Sequence, residues 1–414
     1  MNLHRWIPFI LIISSFTIII EAYVLFHWTK YAKKRKFNKL AYKIPIFISI
    51  LAIFSSLFFN IQRLYSSSPN LSYNFFLIFS SLWYLPKLVI APFLLIKDLI
   101  NFLKNILFSI RNKKNIAKHS NISEIDYSKR RTIETVGWTF AAIPFFSAGL
   151  GLTRDTTSIQ FHIIELELPK FPIKDGAFTI VQISDIHSGS LLSKKLIDKT
   201  VRAINDAKPD LVVITGDFVN FRIEELDFIL PSLNNLYPTY GTFGCMGNHD
   251  YYVGKENISK FNQKLEKVGI KLLNNSNYQI NTGKGIVQIA GVENSGMSNQ
   301  NYADFDKALE GLNPESSIIM LCHEPNNWEK SILRKLPIDL TLSGHTHGGQ
   351  FGVNIVGKEI SPASLVYKYW AGLYKVGDQY LYVNRGLGTT GPPFRVGVKP
   401  EITICKLRAP QTIV

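Results

Sequence analysis

The order of apolar and polar positions divides the chain in two. In the first third, long apolar runs alternate with short polar loops. Residues 7–26 are interrupted by one charge, Glu21, residues 44–61 by none, residues 73–96 by Lys87 alone, and residues 135–152 by none. A helix of about 20 residues crosses a hydrocarbon core, so the four runs predict four membrane-spanning helices. Pro86 and Pro92 predict a kink in the third run, with a re-entrant hairpin as the alternative to a single crossing. Leu99–Ile110 reads as an amphipathic segment lying in the interface. A secretory signal peptide accounts for the first run only, and no A-x-A-like site closes it.

Beyond Leu152 the runs shorten. Phe161–Leu168 alternates apolar and polar positions, the signature of a strand with one exposed face. Short apolar or β-branched runs follow at Phe178–Ile183, Leu211–Thr215, Thr242–Met246, Ile286–Ala290, Ile318–Leu321, Leu340–Leu342, Gln379–Val383 and Ile402–Leu407. Helical periodicity appears between them, at Ser193–Asn205 and Lys255–Val268. The pattern predicts a layered α/β domain over residues 153–414, preceded by an all-α transmembrane domain over residues 1–152.

Charge sharpens this division. The chain carries 46 Lys and Arg against 31 Asp and Glu, a net +15, yet 19 of the basic and only 5 of the acidic side chains lie in residues 1–152. That excess sits between apolar runs rather than on a folded basic face, which excludes a nucleic-acid partner. Lys30–Lys43 holds seven basic residues and no acid, and Lys97–Arg131 holds nine basic and three acidic. By the positive-inside rule both loops are cytoplasmic, so four spans leave the carboxy-terminal domain outside the plasma (inner) membrane of a bacterium. Glu21 reads as an intramembrane carboxylate reaching a basic neighbour. Cys245, Cys322 and Cys405 are too scattered for a disulfide scaffold or a thiolate zinc site, and read as small buried hydrophobes.

Chemistry-bearing residues gather where the short strands end. Phe178–Ile183 runs into Asp185-Ile186-His187, Leu211–Thr215 into Gly216-Asp217, and Thr242–Met246 into Gly247-Asn248-His249-Asp250. Ile318–Leu321 leads to His323, and Leu340–Leu342 to Gly344-His345-Thr346-His347. Ligand sites in α/β sheets form at the carboxyl ends of strands, so these loops can converge on one cleft. Carboxylate, imidazole and amide oxygen suit a hard or borderline divalent cation. On extended chain, the two ends of a D-x-H or H-x-H triplet share a face and can grip one ion. These candidate ligands are too many for one ion and fit two sharing a carboxylate, an arrangement that clamps a phosphoryl group.

Together these five motifs resemble the calcineurin-like metallophosphoesterases, over about residues 160–408. The Gly344–Gln350 stretch and Asn384-Arg385-Gly386-Leu387-Gly388 are similar to the bacterial membrane-associated branch, which includes proteins similar to UDP-2,3-diacylglucosamine pyrophosphatases. The resemblance implies a four-layer sandwich of two packed β-sheets flanked by helices. It implies that Asp185, His187 and His347 hold one metal, that Asn248, His323 and His345 hold a second, and that Asp217 bridges them. His249 is then the general acid, oriented by Asp250, and the nucleophile is metal-bound hydroxide. The cofactors expected are two divalent ions, manganese first, with iron, magnesium or zinc as alternatives.

Arg385 and Arg395 are candidate phosphate contacts. The aromatic-rich segment Pro362–Lys375, with Tyr367, Tyr369, Trp370 and Tyr374, reads either as an apolar lip facing a bilayer or as a loop packed on its own domain. The expected partner is a phosphorylated, lipid-linked substrate at the membrane bilayer, and no protein partner is identifiable. A soluble extracytoplasmic phosphoester, and a non-catalytic membrane sensor or scaffold, are the alternatives. The complete ligand set and His249 favour turnover.

Overall fold

The structure, a computed structural model, describes residues 3–65, 71–112, 124–152, 156–190, 193–295, 302–356 and 358–410. It separates into two compact units, residues 1–66 with 70–150, and residues 67–69 with 151–414.

The first unit is made of four helices: α1 (Leu3–Lys34), α2 (Leu40–Tyr65), α3 (Leu71–Asn112) and α4 (Glu124–Leu150). Among the described residues, Leu40–Phe58 and Phe75–Ser109 are long and apolar enough to cross a membrane. The apolar run at 7–26 lies within α1, and the run at 135–152 lies within α4 up to Leu150. Part of the second basic loop, residues 113–123, lies outside the described residues.

Helix α3 is continuous through Pro86 and Pro92, and Leu99–Ile110 is its last third rather than a separate interfacial segment. At 1.5 Å per residue its 42 residues extend about 63 Å, twice a hydrocarbon core. Glu21 of α1 is buried and paired with Lys87 of α3 at 2.8 Å. Trp83 Nε1 donates to the same carboxylate at 3.1 Å, and Ser49 of α2 donates to it as well. One buried carboxylate thus ties three helices together.

The second unit has two six-stranded sheets. The first runs β1 (Gln160–Glu167), β14 (Glu401–Arg408), β2 (Phe178–Ile183), β3 (Leu211–Thr215), β4 (Thr242–Cys245), β5 (Ile270–Leu272). The second runs β12 (Gly372–Val376), β13 (Gln379–Val383), β9 (Leu340–Ser343), β8 (Ile318–Leu321), β7 (Ile286–Gly291), β6 (Ser276–Asn281). β2 to β5 pair in parallel, as do β13, β9, β8 and β7. β10 (Val353–Ile355) and β11 (Lys358–Ile360) form a separate hairpin.

Period-two alternation explains the layering. In β3, Leu211 and Val213 enter the core between the sheets, while Val212 and Ile214 face the helices α5 (Lys194–Asp206), α6 (Leu226–Leu233) and α7 (Ile258–Glu266). Phe178, Phe243, Ile289, Leu321, Leu342 and Tyr382 fill the same inter-sheet core. Against the outer face of the second sheet, Met320, Leu381 and Val383 pack with Trp328, Ile332 and Ala308 of α8 (Phe305–Leu309). The result is helix, sheet, sheet, helix. Cys245, Cys322 and Cys405 are all free and buried in these cores.

Candidate active site

The carboxyl ends of β2, β3, β4, β8 and β9 are the ends that carry the motifs, and parallel pairing brings them to one edge of the sandwich. Where β2 ends, the backbone ladder continues sideways: Asp185 N–H donates to Gly216 O at 3.0 Å and His187 N–H to Asp217 O at 3.0 Å. The late loop clamps the same segment, with Leu387 N–H on Ser184 O and Gly388 N–H on Asp185 O.

The extended geometry expected for the D-x-H and H-x-H triplets is not what forms. Asp185, His187, Asp217, His345 and His347 all have left-handed backbone, with φ of 49°, 46°, 56°, 74° and 51°. Each chain turns sharply as it leaves its strand, so the side chains converge by strained turns and not by pleat alternation. Gly344 permits the close crossing, since a Cβ there would collide with Ser184 and Asp185.

Two donor clusters result. In the first, His187 Nε2 lies 2.9 Å from His347 Nε2, and Asp185 Oδ1 lies 3.3 Å from His347 Nε2. In the second, His345 Nδ1 lies 2.9 Å from Asn248 Oδ1 and 3.3 Å from His323 Nε2. Asp217 Oδ2 stands between them, 3.5 Å from His187 Nε2 and 3.3 Å from His323 Nε2. Its other oxygen accepts the His249 backbone N–H at 2.8 Å.

Hydrogen bonds to carbonyls set the histidine tautomers, because a carbonyl only accepts. His323 Nδ1–H donates to Thr215 O at 2.7 Å, which leaves Nε2 as the atom facing Asp217. His249 Nδ1–H donates to Asn220 O at 2.9 Å. Burial pushes His187 down to about 3, and burial with the neighbouring His187 holds His347 well below the usual imidazole value. Burial also opposes a charge on His323, but Asp217 overrides it and raises that group to about 10. Two neutral, buried imidazoles meeting Nε2 to Nε2 beside two carboxylates, with His187 Nδ1 left without a partner, form a donor set that fits a divalent cation. On the accessible side, Asn248, His249 and His345 are only half-buried.

Three expected roles change. Asp250 does not orient the His249 ring. Its buried carboxylate accepts the backbone N–H groups of Asp217 and Gly247, each at 2.9 Å, and of Val219 at 3.2 Å, so it fastens together the two loops that follow β3 and β4. Burial and the charge of Asp217 raise it to about 8. Arg385 pairs with Glu401 at 2.8 Å and Glu359 at 2.5 Å, and Arg395 is fully buried, donating to Gly388 O and lying 3.4 Å from His347 Nδ1. Both guanidiniums are therefore engaged in holding the late loop in place.

The segment Pro362–Lys375 divides. Tyr369 is buried against Trp328 and Tyr374, whereas Leu365 and Val366 are 88% and 68% exposed. At the β10–β11 turn Val356 is 98% exposed, with Val353 and Ile360 also open. Tyr367 reaches from this segment to His345 Nε2 at 3.1 Å. Asn220, Thr215, Glu324 and the new role of Arg395 escaped sequence reasoning. Only the adjacency of Glu324 to His323 signalled any of them.

Residues 178–349 match the family described as calcineurin-like phosphoesterase, and residues 4–156 match the family described as the probable transmembrane domain of calcineurin-like phosphoesterases. An uncharacterised metallophosphoesterase of Helicobacter pylori is 34% identical over 301 residues, 69% of this chain and 75% of that protein. Phosphodiesterase YaeI of Escherichia coli is 30% identical over 282 residues, 68% of this chain and 99% of its own length. A transmembrane protein with metallophosphoesterase domain from Danio rerio is 31% identical over 252 residues, 58% of this chain and 56% of that protein.

Proposed function

Since this chain belongs to the calcineurin-like metallophosphoesterases and is a membrane protein, we propose that it is a dinuclear phosphoesterase acting on a lipid or lipid-linked phosphoester or pyrophosphate. Asp217 carries the dinuclear reading, because one carboxylate oxygen faces ligands of both clusters. Asp185, His187 and His347 would hold one ion and Asn248, His323 and His345 the other. Two bound cations supply Lewis-acid clamping of the phosphoryl oxygens and activation of water. Manganese is the first candidate.

The protein's own part is positioning and proton delivery. His249, with Nδ1 fixed on Asn220, offers Nε2 at the accessible side to protonate the departing oxygen. Asp250 and the late loop keep the ligand turns in register. Orientation outside the cytoplasm rests on the loop charges and on a single crossing by the unbroken α3.

The lipid reading rests on the rim. Leu365 and Val366 stand exposed on the segment whose Tyr367 touches His345, Val356 stands exposed at the β10–β11 turn, and Phe221 and Tyr252 stack beside His249. An apolar rim around a charged centre fits a substrate with a polar phosphate and an apolar tail.

The test uses detergent-purified full-length protein, stripped with EDTA and reloaded with Mn²⁺. Hydrolysis of bis(p-nitrophenyl) phosphate should return with metal and be lost in Asp217→Asn. Long-chain phosphodiesters in mixed micelles should be preferred over short-chain ones, and Leu365→Asp/Val366→Asp should reduce that preference about tenfold or more, given ~1.5–3 kcal/mol per fully buried aliphatic side chain. No chain-length preference in the wild type would refute the lipid reading, and no metal-dependent turnover would refute the enzyme reading.

A further inference from the structure

Glu324 follows His323 at the end of β8, and its carboxylate is buried, with 4% of the residue exposed. Oε2 lies 3.0 Å from Nε2 of His345, and Oε1 is buried without a hydrogen-bond partner. A buried carboxylate with one orphaned oxygen costs stability, so its position calls for a compensating role.

His345 shows that role. Its Nδ1 points at Asn248 Oδ1 and His323 Nε2, while its Nε2 points at Glu324 and the Tyr367 hydroxyl. A neutral imidazole has one proton. If Nε2 carries it, Nδ1 presents a lone pair to the second donor cluster. If Nδ1 carries it, that cluster loses a ligand. A carboxylate only accepts, so Glu324 selects the Nε2–H form, and its charge makes Nδ1 more basic. Among the described residues no carboxylate faces Nδ1 of His347, which Arg395 approaches at 3.4 Å instead.

We propose that Glu324 is a positioning residue for the second metal site, holding His345 in its ligating tautomer and strengthening that site selectively. The inference rests on the dinuclear reading above. It does not make Glu324 a ligand or a catalytic residue.

The test is Mn²⁺ titration of the metal-free, detergent-purified full chain by calorimetry, with electron paramagnetic resonance to separate coupled pairs from isolated ions. Outer-shell partners of ligating histidines are worth about 10–100-fold in metal affinity. Glu324→Gln, which keeps an acceptor but not the charge, should weaken one of two sites about tenfold, and Glu324→Leu should weaken it about a hundredfold. At limiting metal both variants should replace the coupled-pair signal by that of isolated Mn²⁺, with the other site unchanged and the metal-free unfolding midpoint no lower than wild type.

Two ions at wild-type affinity in both variants would overturn the proposal and leave the dinuclear reading standing. Equal weakening of both sites with a lowered midpoint would also overturn it, as a merely structural effect. Fewer than two ions in the wild type would overturn the dinuclear reading and this proposal together.

Discussion

His249 offers the sharpest test of how the site works. Its Nδ1–H is committed to Asn220 O at 2.9 Å and its backbone N–H to Asp217 at 2.8 Å, so one group, Nε2, is left to serve the reaction. His249→Gln removes that proton donor while keeping a side chain of similar reach. A single positioned general acid contributes about 10²–10⁴ in rate, which at 1.36 kcal/mol per decade is about 2.7–5.4 kcal/mol of barrier. The full loss should appear only where the departing oxygen is basic. An alkyl phosphodiester should therefore lose about 10²–10⁴ in kcat, while a nitrophenyl ester, whose leaving group departs as a stable anion, should lose little. The assay is kcat for a leaving-group series under saturating Mn²⁺, with metal content measured in each preparation. A steeper dependence on leaving-group acidity in the variant is the expected result. Equal losses on alkyl and nitrophenyl esters with metal content intact would refute the reasoning, placing His249 on the phosphoryl oxygens. Loss of metal from the variant would place it among the ligands, since its ring lies in one cluster with His187 and Asp217.

Two other outcomes follow from charged groups. In the metal-free protein His323 is raised from 6.5 to about 10, so the stability it contributes is full below its unfolded value and disappears as the pH rises through about 10. Metal binding at neutral pH must displace that proton, so calorimetry in buffers of different ionisation enthalpy should find about one proton released per chain from this group, and affinity rising with pH. In the first unit, the Glu21–Lys87 contact at 2.8 Å amounts to about 6 kcal/mol of attraction at an effective dielectric of 20, before desolvation is subtracted. Lys87→Met should therefore destabilise the unit by about 3–5 kcal/mol, and Glu21→Leu/Lys87→Met should recover most of that. Unfolding in detergent measures both, and a double variant as unstable as the single one would show that the pair is not what the cost comes from.

The candidate ligands are legible because chemistry sits where strands stop. A strand end is marked in sequence by its apolar run, and Asp, Asn or His just beyond that run has no core-packing reason to be there. The same logic found the central strands β2, β3, β4, β8 and β9, which are buried on both faces. It did not find β5, β6, β10, β11 or β12. Those strands lie at sheet edges or outside the sheets, and segments such as Ser276–Asn281 and Lys358–Glu359 carry polar side chains that read as loop. Asn220 and Thr215 act through backbone carbonyls, which no side-chain pattern reports. Asp250 was found but misread, since a carboxylate next to His249 in sequence points instead at three backbone N–H groups.

The left-handed turns that carry the candidate ligands explain why so much of the domain is devoted to fastening loops. Non-glycine residues in that region cost of order 1–3 kcal/mol each, and five of them meet here. Five separate penalties of that size exceed what surface loops can absorb, so the turns persist only if each is held from several directions. Asp250 holds the turns at Asp217 and Gly247, Asp185 holds His345 N–H, and Leu387 and Gly388 hold Ser184 and Asp185. Glu401 then anchors that last loop from the core, accepting from Tyr382 and Asn384 and pairing with Arg385. The arrangement stands in place of the water and solvent dipoles that would otherwise have to reorganise around a developing phosphoryl charge, which is what a preorganised site contributes to rate. On this account the arginines of the late loop act on catalysis through the position of the ligand turns and not through the substrate. Substituting Arg395 should then disturb metal retention at the His347 cluster before it disturbs the affinity for any phosphoester.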